Sequence, residues 1–590
     1  MPQEIILPIT NLASAGLVED APAVSLPPNV FSDVHNVRFR DGAVKRFPSN
    51  VDKLTSLTNV VYVAYWPSTL GDRYVVIVDN GTNTVFTVYN STFSVVSAQG
   101  GTNTGVTGGS WQHTLFNGGY HIIFNNGNST PVFLQDNVVG VVQLPGWDSY
   151  AIEEELSSFE HDGSSGAVQI KNTVFVNPGA GNSISVKITA LPRNTSSPIQ
   201  TESVTIDSSG VVSNSAGVPD STLLNIGTIT NVNYSTNSFD LTPDTASGGT
   251  TYKAYVTSAP VTSVTAGVVR SYGNLLVAGN LIETGGRTLT GTIRTSDVAA
   301  PGVIPENWNP FKNGANTADE FILASTGTIQ DLAELQGVLY IYTDSSIHSV
   351  QRTNSEFVPF QIATVTDSYG VNNTDGVLEV DGKHIVYGSN DCYVFQGHPG
   401  SISSISDGRV RNFFRNNTTI KSVRFNKYDE IWFWSSTIVY VWNYRNNVWT
   451  KRDIPTGTNS MSNIRGDLLL SSPTKLVGVD GSSFLPDAVL ERKRMAVTPE
   501  FDTESVSGMA LLFDGPSKVN IKYDGIDKVG VVVDFATKPA IPFDTSLDYK
   551  ADVRFNGRFL NYRIESQPNE ITLDWNLTGY HIQISKGGAR

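Results

Sequence analysis

A pair of short strands joined by a tight polar turn recurs along this chain, and no other feature restricts its folding as much. The template is a small or polar residue, four or five apolar β-formers, a turn, and a second alternating run. It reads YVVIVDNGTNTVFTVY after Arg73, YHIIFNNGNSTPVFLQD after Gly119 and NLLVAGN after Gly273. It returns as VLYIYTDSSIHSVQR after Gly337, KHIVYGSNDCYVFQG after Gly382, EIWFWSSTIVYVWNY after Asp429 and DLLLSSPTKLVGVD after Gly466. The later copies follow one another at roughly 40–50 residues, the spacing of four-stranded propeller blades. Three or four strands cannot bury both of their faces alone, so the copies must stack. Radial stacking makes a propeller; a row of unrelated sandwiches is the alternative.

Length and composition agree with a repeat array. A chain of 590 residues is too long for one hydrophobic core. Hydrophobic residues make up 39% and charged residues 16%, the balance going to the Gly, Asn, Ser and Thr of turns and solvated strand faces. The net charge of −15, with no basic stripe, argues against a protein that grips nucleic acid through its phosphates. It suits a surface past which DNA slides without sticking, and it suits plain solubility. The single Cys392 rules out an intrachain disulfide and reads as a small apolar strand residue. No run approaches about 20 apolar residues, so no membrane-spanning segment is expected. The start, MPQEIILPIT, lacks a basic n-region and a cleavage site, which points to synthesis in a cytosol without export by that route.

The expected fold is all-β: a β-propeller interrupted by a small β-sandwich insertion, with an extended N-terminal arm and a C-terminal β-sandwich-like platform domain. The boundaries are 1–55 for the arm, 56–149 for the first blades, 150–263 for the insertion, 264–484 for the remaining blades and 485–590 for the C-terminal domain. The insertion is rich in Ser, Thr, Asn and Gly around runs such as ISVKITAL after Ser183. In the C-terminal domain, residues 554–559 suggest a hairpin turning at Asn556 and Gly557. Helix is scarce; residues 13–19, 151–159 and 328–335 are the best candidates, the last stopping at Gly337.

Signs of chemistry are few. The eight histidines, at 35, 113, 121, 161, 348, 384, 398 and 581, have no ligand spacing with a carboxylate, so neither metal nor cofactor is expected. His121 and His384 lie in strand runs, where a hydrogen-bonded structural role is the plainer reading. Nucleophile elbow, phosphate loop and dinucleotide fingerprint are missing, and so are the repeated turns of sialidase, WD and kelch propellers. Residues 79–84, DNGTNT, offer oxygens to a calcium ion but read more simply as an Asn-Gly hairpin turn. Trp432 and Trp434 share one strand face, either as packing between blades or as a platform for a sugar.

Several segments resemble the tail nozzle proteins (tail tubular protein B) of short-tailed bacteriophages. They are NVRFRDGAVKRFPS from Asn36, SYGNLLVAGN from Ser271, IRTSDVAAPGVIPENWNP from Ile293 and QDLAELQGVLYIYTDSSIHSVQ from Gln330. At the other end stand NGRFLNYRIES from Asn556 and GYHIQISKGGAR from Gly579. Each is loose, and their order from about residue 30 to the end carries the likeness. The resemblance implies a non-catalytic structural protein of the virion tail, made in the host cytoplasm and assembled as a homo-hexamer. It implies an adaptor or gatekeeper ring above, tail fibres at the side, and double-stranded DNA passing through a central channel without specific binding. Under it, Arg38, Arg40, Lys45, Arg46, Arg554 and Arg558 are candidates for subunit or partner interfaces. The rival reading is a host-receptor-binding, polysaccharide-binding or glycan-degrading propeller of the tail, using Trp432 and Trp434.

Overall fold

The structure is a computed structural model, and it describes residues 4–586 apart from 15, 98, 137, 148–152, 161–165, 173–174, 192–199, 215–217, 224–225, 244–249, 258–263, 284–286, 311–316, 325–326, 354–359, 389, 436 and 497–502. Among the described residues, seven antiparallel four-stranded sheets form the blades of a propeller. Their innermost strands are Val60–Ser68, Gln112–Phe116, Val264–Tyr272, Ile329–Leu335, Val377–Val380, Lys421–Phe425 and Ser460–Ile464, in blades 1 to 7. The outermost strand of blade 7 is Val51–Leu54, from the far end of the chain. Residues 51–54, expected to belong to the arm, therefore close the ring instead. Such closure ties the last blade to the first without requiring any one sheet to close.

Between blades 2 and 3 sits the inserted sandwich. One sheet holds Glu153–Glu160, Thr251–Thr257, Ser183–Leu191, Gln200–Asp207 and Val212–Ser213; the other holds Val168–Lys171, Ser238–Pro243, Gly227–Asn233 and Thr222–Leu223. Ser183–Leu191 shows the alternation that selects a half-buried strand, with Ile184, Val186, Ile188 and Ala190 inward.

The platform is a second sandwich, woven from both ends of the chain. Its first sheet runs Val37–Arg40, Ala43–Arg46, Leu577–Lys586, Glu504–Phe513, Phe555–Gly557, with Glu4–Thr10 lying along Leu577–Lys586. Its second runs Asp33–His35, Val489–Ala496, Phe559–Ser566, Lys518–Ile526, Ile541–Asp544.

Three helix expectations fail, two of them for one reason. Residues 328–335 contribute the inner strand Ile329–Leu335, and 151–159 contribute Glu153–Glu160, with 151 and 152 outside the described residues. Each strand carries a β-bulge, between Ile329 and Asp331 and between Glu155 and Ser157. A bulge resets the two-residue alternation, so Ile329, Leu332 and Leu335 imitate the three-residue spacing of a helix face. At 13–19 only the 3-10 turn Leu12–Ser14 forms, residue 15 being undescribed. The α-helix that forms among the described residues, Arg411–Asn416, is a short connection before blade 6.

The expected hairpin at Asn556 and Gly557 is a crossing instead. Phe555–Gly557 pairs with Glu504–Phe513 in one sheet, and Phe559–Ser566 belongs to the other. A Cβ on Gly557 would meet the Ile526 backbone nitrogen at 2.8 Å, so glycine is required by close backbone approach.

Candidate functional site at the arm clasp and the propeller axis

The arm reaches blade 6 with its polar residues pointing inward. His35 Nε2 lies 2.8 Å from Asp453 Oδ2, and Asn36 exchanges bonds with Asp453 through both its amide nitrogen and its amide oxygen. The Thr450 hydroxyl donates to the Val37 carbonyl at 2.5 Å. Arg38 Nε stands 2.6 Å from Glu430 Oε1, and its guanidinium lies over the Tyr428 ring at 3.5 Å. Trp432 Nε1 donates to the same carboxylate at 2.9 Å. Arg452, fully buried beside them, donates to the Pro48 carbonyl and to Asn50. Burial, and then the neighbouring Arg38 charge, push the Arg452 guanidinium down to about 9.

This geometry corrects part of the interface expectation. Arg38 and Arg46 are buried, and Arg46 spends its donors on the carbonyls of Leu485, Leu573 and Glu570. Both hold the chain to itself, because a buried guanidinium must find acceptors nearby. Arg40 and Lys45 lie at the margin, each near Asp41, at 3.4 Å and 3.2 Å. Arg554 and Arg558 are exposed. The sugar-platform expectation also changes: Trp432 is fully buried against Phe47 and Phe425, and Trp434 is 5% exposed. Neither indole presents a stacking face to solvent.

At the axis, inner strands turn an unpaired edge toward a neighbour, and at several junctions side chains of the adjoining blade supply some of the missing bonds. Ser460 and Ser462 accept from the backbone nitrogens of Val63 and Tyr65, at 2.8 Å and 3.0 Å, joining blade 7 to blade 1. Thr114 accepts from the Ser271 nitrogen, and Gln112 donates to the Gly267 carbonyl at 2.6 Å. Lys421 Nζ donates to the Asn459 carbonyl at 2.7 Å, and Asn459 donates to the Val60 carbonyl at 2.8 Å. A cavity of about 570 Å³ lies among these strands, lined by Tyr62, Tyr65, Trp111, His113, Asp375 and Lys421 among others.

Beside the cavity, Arg270 of blade 3 joins three other blades to its own. It donates to Gln112, reaches Asp331 Oδ1 at 2.9 Å and reaches Asp375 Oδ1 at 2.5 Å. Asp331 also accepts from the Leu332 and Val377 nitrogens. Burial pushes its carboxyl up to about 6, against the pull of Arg270. The Tyr62 hydroxyl and His113 Nδ1 are 2.9 Å apart. Burial drives His113 down to about 4 and holds the phenol well above its ordinary value. A phenol kept protonated beside a neutral imidazole is a joint rather than an activated nucleophile. Among the described residues, no three His, Cys, Asp or Glu side chains are grouped as metal ligands.

In the turn at 79–84, Asp79 accepts from the Gly81 and Gly108 nitrogens, both at 2.8 Å. His384 bridges Tyr342 and the Glu334 carbonyl between blades, the structural role expected of it, whereas buried His121 packs its ring on Tyr120 and Phe133 and neither ring nitrogen is hydrogen-bonded among the described residues. Cys392 is fully buried, as its strand run suggests. His161 lies outside the described residues. Sequence reasoning passes over Arg270, Asp331 and Asp375. For Arg270 and Asp331 the available signal is a charge within an inner strand, VTAGVVRSY and IQDLAEL; Asp375 precedes its strand and carries none.

No family model matches the chain, and no curated protein matches it. Solved structures similar to it include BamB from Moraxella catarrhalis, at TM-score 0.32 and 10% identity, covering 74% of this chain and 97% of that one. YCF48 bound to D1 peptide has a TM-score of 0.32 and 9% identity over 75% of this chain and 98% of its own. Sqt1 from Saccharomyces cerevisiae has 0.32 and 10% over 73% and 97%.

Proposed function

We propose that this chain is a structural subunit of the tail nozzle of a short-tailed bacteriophage, working as a six-membered ring around a DNA channel. The observation that carries the reading is the woven platform: the arm and the last hundred residues meet in one sandwich, clasped to a closed propeller. The segments that resemble nozzle proteins fall on both bodies. NVRFRDGAVKRFPS holds the hairpin Val37–Arg40 and Ala43–Arg46; the three middle segments span blades 3 and 4; the last two supply Phe559–Ser566 and Leu577–Lys586. A platform whose core runs on into the propeller suits a conduit, which needs shape and symmetry rather than chemistry.

The net charge of −15, repeated around a ring, repels a sliding duplex. The platform is the surface for an adaptor or gatekeeper ring, and the flank is open to tail fibres. Among the described residues, no helix is long and apolar enough to cross a membrane. The purified chain, alone or mixed with the ring protein adjoining it in the particle, is expected to give six-copy assemblies by native mass spectrometry. Monomers under both conditions would overturn the reading. Antibody labelling of intact particles is expected to mark the tail.

A further inference from the structure

Two β-forming segments of the platform have pairing capacity left over among the described residues, and they lie on opposite margins of it. The first is the strand Glu4–Thr10. It pairs along one side with Leu577–Lys586, from Glu4 opposite Ser585 to Thr10 opposite Gly579, and with no other strand among the described residues. Ile5 is 42% exposed and Ile6 59%, so apolar side chains face solvent on both faces of a free edge. Pro8 removes one donor, but the strand carries no lysine to guard the rest.

The second is residues 529–534, Val-Gly-Val-Val-Val-Asp. β-branched residues at three successive positions favour a sheet, yet this segment joins none among the described residues. Val532 is 85% exposed, with Val529 and Val531 also open to solvent. The segment is anchored at both ends: Ile526 and Phe535 are buried, and Lys538 pairs with Asp524 at 2.9 Å. It is a β-forming run held without a sheet.

Sheet order separates the two. On its other side, Leu577–Lys586 is followed by Glu504–Phe513 and then Phe555–Gly557. Phe555–Gly557 packs against Lys518–Ile526, the strand from whose end residues 529–534 run on. Complementary segments on opposite margins make a heterologous, head-to-tail contact, which closes into a ring when the rotation allows.

We infer that residues 529–534 of one copy add as a strand to the free edge of Glu4–Thr10 in a second copy of this chain. This extends the first platform sheet across the subunit boundary by strand addition. The inference rests on the ring reading above and says which surfaces make the ring.

Cysteine cross-linking tests it cleanly, because the one native cysteine, Cys392, is buried. Ile6→Cys is combined in turn with Val529→Cys, Val531→Cys, Val532→Cys and Val533→Cys, sampling both faces and several registers. A disulfide forms only where Cα atoms come within about 7 Å. At least one double variant is expected to give a covalent ladder on oxidation, while two single variants mixed together stop at dimers. No ladder from any double variant overturns the contact. If native mass spectrometry of the unmodified chain then shows closed rings, this contact alone is lost; if it shows only monomers, the ring reading falls with it. Val532→Asp is expected to weaken self-association roughly thirtyfold or more while leaving the melting temperature unchanged. Unweakened association in that variant also overturns the contact.

Discussion

The platform and the inserted sandwich are both two-sheet β structures, yet only one of them is a separate body. The core of the insertion, from Leu156 to Val256, consists wholly of its own residues, with Phe175 packed on Tyr234 and Phe239. The core of the platform continues into the propeller. Ile9, Leu490, Tyr562 and Trp575 belong to one cluster with Cys392, Phe433 and Trp449 of blades 5 and 6. Hydrophobic continuity, more than sheet type, decides which parts of a long chain unfold together. The insertion should therefore unfold on its own, and the platform should fall with the propeller.

Breaking the clasp is expected to have the largest effect. Glu430→Ala leaves Arg38 buried without its counter-charge and should cost about 3–5 kcal/mol. Calorimetry should show one lowered transition carrying both platform and propeller; two separated transitions would contradict the continuity. Phe239→Ala should cost the insertion about 3–5 kcal/mol through the cavity it leaves. A shift of the propeller transition by a similar amount would show that the two bodies are coupled after all.

Acid should sharpen the contrast. His113 and His384 join blades, and burial depresses both to about 4. In the unfolded chain an imidazole takes up its proton near pH 6.5, whereas these two refuse it until about pH 4. Their contribution is thus full above pH 6.5 and is lost as the pH falls from there toward 4. The described residues of the insertion contain no histidine, so its transition should move less over that window. His384→Gln should flatten the pH dependence of the propeller transition, measured as melting temperature at about pH 7.5 and about pH 5. An unchanged slope would remove His384 from the account.

A smaller loss, about 1 kcal/mol, is expected for Thr450→Val, which deletes the hydroxyl bonded to the Val37 carbonyl in the clasp. The smallest effect should come from Arg554→Glu with Arg558→Glu. Both side chains are exposed, so stability should stay within about 0.5 kcal/mol, and any change should appear in assembly instead. Light scattering beside a thermal melt separates the two.

Much of the fold is legible in the sequence because strand periodicity and turn chemistry are local. The runs around Val75, Ile122, Ile341, Val386 and Trp432 each become the second strand of a blade. The bulged strands at Ile329 and Glu155 escape such a reading because a bulge erases that local signal. The arginines of the arm look like surface residues for a related reason. Nothing adjacent in sequence shows that Arg38 meets Glu430, which stands 392 positions away.

The sequence by itself determined the β class, the repeat and its interruption, the acidic surface and the unpaired cysteine. Hydrogen-bonding geometry and apolar alternation act over a few residues, so a single pass along the chain exposes them. Only the tertiary structure decided that there are seven blades among the described residues, that Val51–Leu54 closes the last of them, and that both chain ends share one platform. Those outcomes depend on which distant edges and charges find one another, and loop closure costs too little per added residue for sequence distance to forbid any of them.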